Sequence, residues 1–216
     1  MKLTESDLED NEFSAELLNK LIQIDITNCG SNDALKQIIK LGFIWREFKD
    51  LHFLSKLTEL EELTVMCCYD LNSLSGIETI SNLKVLDLNG CVSLKNLSGV
   101  EELLDLECIN LARCRDLQCL EAIRRLCHLK ELDLEYCVSI KDYSFLSSLS
   151  QLEDLWLCGS SINDLSPIRS LWKLKCLNLS RCDNLKDLSI IKSLPQLEKL
   201  TLPNGKQLDV KGIKNL

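Results

Sequence analysis

The sequence predicts an α/β solenoid in the form of a horseshoe, with a parallel concave β-sheet, short 3₁₀ and turn segments on the convex side, and a helical cap at the N-terminus. Three observations predict it. Seven segments read L-x-x-L-x-L-x-x-C or a near variant, opening at Leu60, Leu83, Leu106, Leu129, Leu152, Leu174 and Leu197. The openings lie 23 residues apart, with one step of 22 between Leu152 and Leu174; a fixed period of this length marks a chain of stacked units. Each opening alternates apolar and polar residues, as in Leu132-Asp133-Leu134-Glu135, the pattern of a strand with one buried face. The second half of each unit keeps apolar residues at steps of three, as in Leu94, Leu97, Val100 and Leu103, or Leu117, Leu120, Ile123 and Leu126. Steps of three suit tight turns and single turns of 3₁₀ helix.

Taken in order, residues 1–30 are read as an N-terminal cap. Ser14-Ala-Glu-Leu-Leu-Asn-Lys-Leu-Ile carries helix formers, and Leu21-x-x-Ile24-x-Ile26-x-x-Cys29 fits the strand template as a degenerate early repeat. In residues 31–59 the period falters, although Phe48, Leu51, Leu54 and Leu57 keep the steps of three; one or two irregular repeats are expected there. Residues 60–216 form seven repeats of one continuous solenoid. On the outer wall, Ser75-Gly-Ile-Glu78 and Ser98-Gly-Val-Glu101 read as capping boxes. Ser166-Pro167 reads as a capping serine before a proline at the first helical position. No single unit can bury its own leucines, so the ends need cover. The seventh repeat is read as reaching Leu216, and no separate capping segment is expected within residues 197–216. Either Asn204, Lys206 and Gln207 suffice there, or the open end is a surface for self-association.

Residues 57–216 resemble the leucine-rich repeat family, and the short outer segments resemble its phosphatase-regulator and internalin subtypes. The phrase Leu-Asp-Leu-x-x-Cys-x-x-Leu-x-x-Leu, at Leu86 to Leu97 and again from Leu132 with Tyr143 in the last slot, is similar to leucine-rich repeat proteins of trypanosomes and related protozoa. The resemblance implies a curved solenoid whose concave sheet binds another protein. Some phosphatase regulators and ubiquitin-ligase subunits share this architecture, which makes a regulatory or substrate-specificity subunit of an enzyme complex the alternative reading. The fold itself hosts many functions.

Of the twelve cysteines, Cys68, Cys91, Cys114, Cys137 and Cys182 share one template position, filled by Ser160 and Gly205 in the other two repeats. A small, weakly polar thiol suits a buried slot that also needs a donor. The expectation is a cysteine ladder of reduced thiols donating to backbone carbonyls, in a reducing compartment. Zinc fails on spacing, because there is no C-x-x-C pair and only His52 and His128 are available; no metal and no cofactor are expected. Cys67, Cys108, Cys158 and Cys176 fall at positions read as outward-facing.

The outward strand positions make the candidate binding face. They are Glu62, Thr64 and Met66, then Asp87 and Asn89 beside Val85, then Asn110 and Arg113. The middle is acidic, with Glu131, Asp133, Glu135 and Asp154, and beside it stand Tyr136 and Trp156; Asn178 and Arg181 follow. Trp156 lies between Leu155 and Leu157 and so points away from the core, where tryptophan is a preferred interface anchor. A net charge of −8 disfavours nucleic-acid phosphates, whose capture depends on lysine and arginine, and favours a basic or mixed-charge protein partner. The opening residues lack the pattern of a signal peptide, and no apolar run approaches the roughly 18 residues of a membrane span. A cytoplasmic or nuclear location is therefore expected. There is no phosphate-binding loop and no nucleophile beside a base, so no enzymatic activity is expected. The paired carboxylates Glu131 and Asp133 are expected to be freely hydrated and to titrate normally.

Overall fold

The computed structural model describes residues 40–209, other than Trp45 and Lys56. The helical cap and degenerate repeat expected in residues 1–30 lie outside the described residues. Eight strands lie parallel in sequence order: β1 (Lys40–Ile44), β2 (Glu62–Met66), β3 (Val85–Asp87), β4 (Cys108–Asn110), β5 (Glu131–Asp133), β6 (Asp154–Trp156), β7 (Cys176–Asn178) and β8 (Lys199–Thr201). Register pairs equivalent template positions, so Leu63, Leu86, Ile109, Leu132, Leu155, Leu177 and Leu200 form one row across the sheet. Each is at most 2% exposed. Truncating one to alanine would open a cavity costing about 2–5 kcal/mol, shared with both neighbouring repeats.

β1 falls in the stretch where the leucine period falters. Leu41 and Phe43 supply its inward pair there. Phe43, Phe48 and Phe53 pack edge to face, with ring centroids 5.3–5.6 Å apart, and fill the space that leucines fill elsewhere.

The convex wall consists of 3₁₀ segments, His52–Leu54, Ile77–Thr79, Val100–Glu102, Glu121–Arg125, Ser144–Ser148, Ser166–Ser170 and Ser189–Ser193. Their caps differ from the expected ones. Glu78 and Glu101 do accept backbone N–H bonds, but from Gly76 and Gly99, each at 2.8 Å, and neither Ser75 nor Ser98 caps a helix. Both glycines adopt positive φ, near 100°, which turns their amides toward the carboxylate. Ser166 is likewise inside its segment, and its N–H and hydroxyl are both held by Asp164. The same Asp-x-Ser bond recurs at Asp142–Ser144 and Asp187–Ser189. Those serine bonds hold the carboxyls of Asp142, Asp164 and Asp187 below the ordinary aspartate range.

Among the described residues the sheet continues one strand past β8. After β8 the chain turns through Pro203–Lys206 and returns as β9 (Gln207–Leu208), antiparallel to β8, with Leu200 opposite Leu208. The edge of β8 is therefore paired over Leu200 and Thr201. Asn204-Gly205 carries the hairpin, with Gly205 at φ +80°, and this dipeptide is a strong hairpin signal.

Buried thiols line the bend beneath the sheet. Cys91, Cys114, Cys137 and Cys182 donate to the carbonyls of Val65, Leu88, Leu111 and Leu157 in the preceding repeats, at 3.0–3.2 Å. Burial pushes the Cys91 and Cys137 thiols up to about 12 and Cys114 well above its ordinary value. The described cysteines are free thiols. Ser160 takes this slot in the 22-residue step and lies 3.6 Å from the Cys182 sulfur. Close by, the buried Tyr143 hydroxyl neighbours the Ser160 and Ser161 side chains, its ring filling a slot that is leucine in most other repeats.

Candidate binding surface

Two rows of side chains stand outward on the strands. The first runs Glu62, Val85, Cys108, Glu131, Asp154, Cys176, Lys199, and the second Thr64, Asp87, Asn110, Asp133, Trp156, Asn178, Thr201, in register throughout. Neighbours in a row are about 4.8 Å apart, set by the strand spacing. Asp87, Asn110, Asp133 and Asn178 each accept an N–H bond from the residue two further on, at 2.8–3.1 Å. These bonds end each strand and bend the chain away from the sheet. Aspartate and asparagine do this equally well, so the turn needs the side-chain oxygen and not the charge.

The residues just beyond the strands do not lie on the sheet, as sequence alternation alone suggests. Cys67, Gly90, Arg113, Tyr136, Gly159 and Arg181 occupy one position, all with φ between +54° and +75°. Each of their N–H groups donates to a carbonyl of the next repeat, at 2.7–2.8 Å. That inter-repeat bond holds cysteine, arginine and tyrosine in a left-handed conformation they rarely adopt. Arg113, Tyr136 and Arg181 therefore form the rim at the C-terminal ends of the strands. A β-carbon on Gly159 would lie 2.6 Å from the Tyr136 ring, so Tyr136 lies across the next repeat because that repeat has glycine. Met66, Asn89 and Glu135 take the preceding position and are half-buried. Cys158 shares it, and its expected outward orientation is not found: at 8% exposure it is buried, with the Tyr136 side chain of the preceding repeat against it.

The electrostatics also depart from expectation. Asp133 is half-buried and its carboxyl is held up at about 6, first by burial, against the bond from the Glu135 amide, with Glu135 and Asp87 adding repulsion and Arg113 only partly offsetting it. Asp87 is raised for the same leading reason. The assumption of free hydration fails for Asp133 because its neighbours come from strands 23 residues away in sequence. Beside Glu131, the Cys108 thiol is pushed up to about 12 by burial and by that carboxylate, 3.7 Å from its sulfur, and is a poor nucleophile.

At the C-terminal end of the face lies a groove of about 910 Å³ whose lining includes Trp156, Asn178, Lys199, Thr201 and Gln207. The sequence reading missed Gln207 and Leu208 as lining residues, although Asn204-Gly205 was the available signal. Among the described residues no cluster of three or more His, Cys, Asp or Glu side chains could hold a metal ion, and no helix is long and apolar enough to cross a membrane.

No protein-family model matches the sequence, and no curated protein matches it. Solved structures do. Internalin C2 of Listeria monocytogenes superposes with a TM-score of 0.70 at 24% identity, covering 92% of this chain and 85% of that one. An internalin (inlF) of the same organism gives 0.69 at 21% identity over 84% of this chain, which spans about half (52%) of that longer structure. The leucine-rich repeat domain of the type III effector XopL gives 0.61 at 17% identity, covering 90% and 77%. Given these likenesses, and its own ordered parallel sheet with short outer 3₁₀ segments, the chain has the fold of the leucine-rich repeat proteins.

Proposed function

We propose that this chain is a non-catalytic protein-binding module that engages a partner through its concave sheet. The observation that carries the reading is Trp156. It stands in register with Asp133 on one side and Asn178 on the other, half-buried at the mouth of the groove. A large aromatic held by neighbouring strands and flanked by Asp133 and Asn178 is the usual form of an interface anchor. Proteins of this fold generally mediate protein–protein interaction, which supports the choice of face. The free, buried thiols support a reducing compartment.

The test is an affinity capture with wild-type and Trp156→Ala baits in parallel, followed by affinity measurement on the captured protein. Loss of Trp156 is expected to weaken binding by on the order of 2 kcal/mol, about thirtyfold. A partner held equally by wild type, Trp156→Ala and Asp133→Lys would move the site off the concave face.

A further inference from the structure

Several charges along the sheet are paired between repeats, whereas a run of carboxylates on its middle strands is not. At the second template position glutamate and lysine alternate strictly, Glu61, Lys84, Glu107, Lys130, Glu153, Lys175, Glu198. The first six pair across repeats, Glu61–Lys84, Glu107–Lys130 and Glu153–Lys175, at 3.0, 2.8 and 2.5 Å. Glu62 on β2 is likewise paired, with Lys40 at 2.6 Å. Asp87, Glu131, Asp133, Glu135 and Asp154, on and just beyond β3–β6, form no ion pair with a lysine or arginine among the described residues. Their contacts are instead with backbone amides, a thiol and the Asn178 amide group. Arg113 and Arg181 stand on the rim, and Lys199 lies two strands beyond Asp154.

The repeats supply their own control. Asn110 and Asn178 make the same strand-ending bond as Asp87 and Asp133, so the local structure does not call for the charges. Like charges on neighbouring strands repel and disfavour the sheet. A face that keeps them without a structural need is complementary to cations supplied from outside. The adjoining residue narrows the cation further. Trp156 pairs directly with Asp133 across β5 and β6, and an indole beside a carboxylate suits a lysine or arginine, whose stem packs on the ring while its head meets the acid.

On this basis we propose that the concave face between β3 and β6 receives an extended lysine- or arginine-bearing segment of the protein partner, with one basic side chain seated between Asp133 and Trp156. Asp87 and Asp154 are three strands apart, about 14 Å, and same-side residues of an extended segment recur at roughly 6.7 Å. Two or three basic residues at alternate positions therefore span the patch. This inference rests on the concave-face reading above.

The probe is a fluorescent alternating lysine–alanine peptide, compared with its glutamate–alanine counterpart, titrated by anisotropy at low ionic strength. Two variants remove equal charge: Glu131→Gln/Asp133→Asn/Asp154→Asn on the face, and Asp105→Asn/Asp116→Asn/Asp183→Asn at exposed positions outside the two rows. The expected result is binding of the lysine peptide, weakened roughly tenfold or more by the face variant and less than about twofold by the other. Equal weakening by both would reduce the effect to net charge and overturn the proposal. So would failure of the lysine peptide to bind, or preference for the glutamate peptide. Thermal unfolding of each variant verifies that the fold is kept. A partner that depends on Trp156 but ignores the face variant would sink this inference and leave the concave-face reading standing.

Discussion

Replacing Asp133 by asparagine should make the protein more stable at neutral pH, and by an amount that depends on pH. Asparagine can keep the bond to the Glu135 amide, as Asn110 and Asn178 do at equivalent positions. What is lost is the buried charge. A carboxyl held at about 6 against an ordinary 3.8 corresponds to about 3 kcal/mol of disfavoured ionisation, at about 1.36 kcal/mol per pH unit. Water still reaches part of the side chain, so the realised gain should be about 1–2 kcal/mol. The sign follows from linkage. Because the folded value is raised, the native state binds more protons than the unfolded chain between pH 3.8 and about 6. The contribution of Asp133 to wild-type stability therefore falls across that window as pH rises, and its full cost is present above it. The difference between variant and wild type should be near zero below pH 3.8, grow through the window and level off above about pH 6. Carboxylates elsewhere titrate alike in both proteins and cancel from the difference. Urea unfolding of the two proteins at several pH values measures it. A variant that is equally or less stable at neutral pH, or a difference that does not change with pH, refutes the argument that Asp133 is an uncompensated buried charge.

Two further outcomes test the scaffold beneath the face. Gly159→Ala should destabilise by roughly 1–3 kcal/mol, combining positive φ with displacement of the Tyr136 ring. Gly205→Ala meets no atom within 4 Å and should lose only about 1 kcal/mol of backbone preference; equal losses in thermal unfolding would contradict the ring contact. Cys114→Ala should cost about 1–2 kcal/mol by leaving a void and removing the thiol bond to the Leu88 carbonyl. Cys114→Ser should cost less, since serine already serves this slot at Ser160. A larger loss for serine than for alanine in urea unfolding would show that donation from this slot is unimportant.

The solenoid was readable in the sequence because its cause is local and repeated. A leucine at Leu86 or Leu132 faces inward by period-two alternation alone, and the 23-residue spacing sets such residues side by side. The same logic placed Trp156 on the outer side of β6. It could not say how deeply an outward residue is buried, because that depends on neighbouring strands. Asp133 is crowded by Asp87 and by its own Glu135, and Cys158 lies against the Tyr136 side chain of the preceding repeat. Nor could alternation follow the chain beyond the strand, where Arg113, Tyr136 and Arg181 enter a left-handed turn because the next repeat accepts their N–H bonds. The antiparallel return of β9 was written in Asn204-Gly205 but masked by the expectation that the repeat would continue. Sequence periodicity determined which side of the sheet each residue faces, since that is set by the pleat of one strand. The tertiary structure alone decided which charges remain uncompensated, since that depends on distances between residues brought together only when the repeats stack.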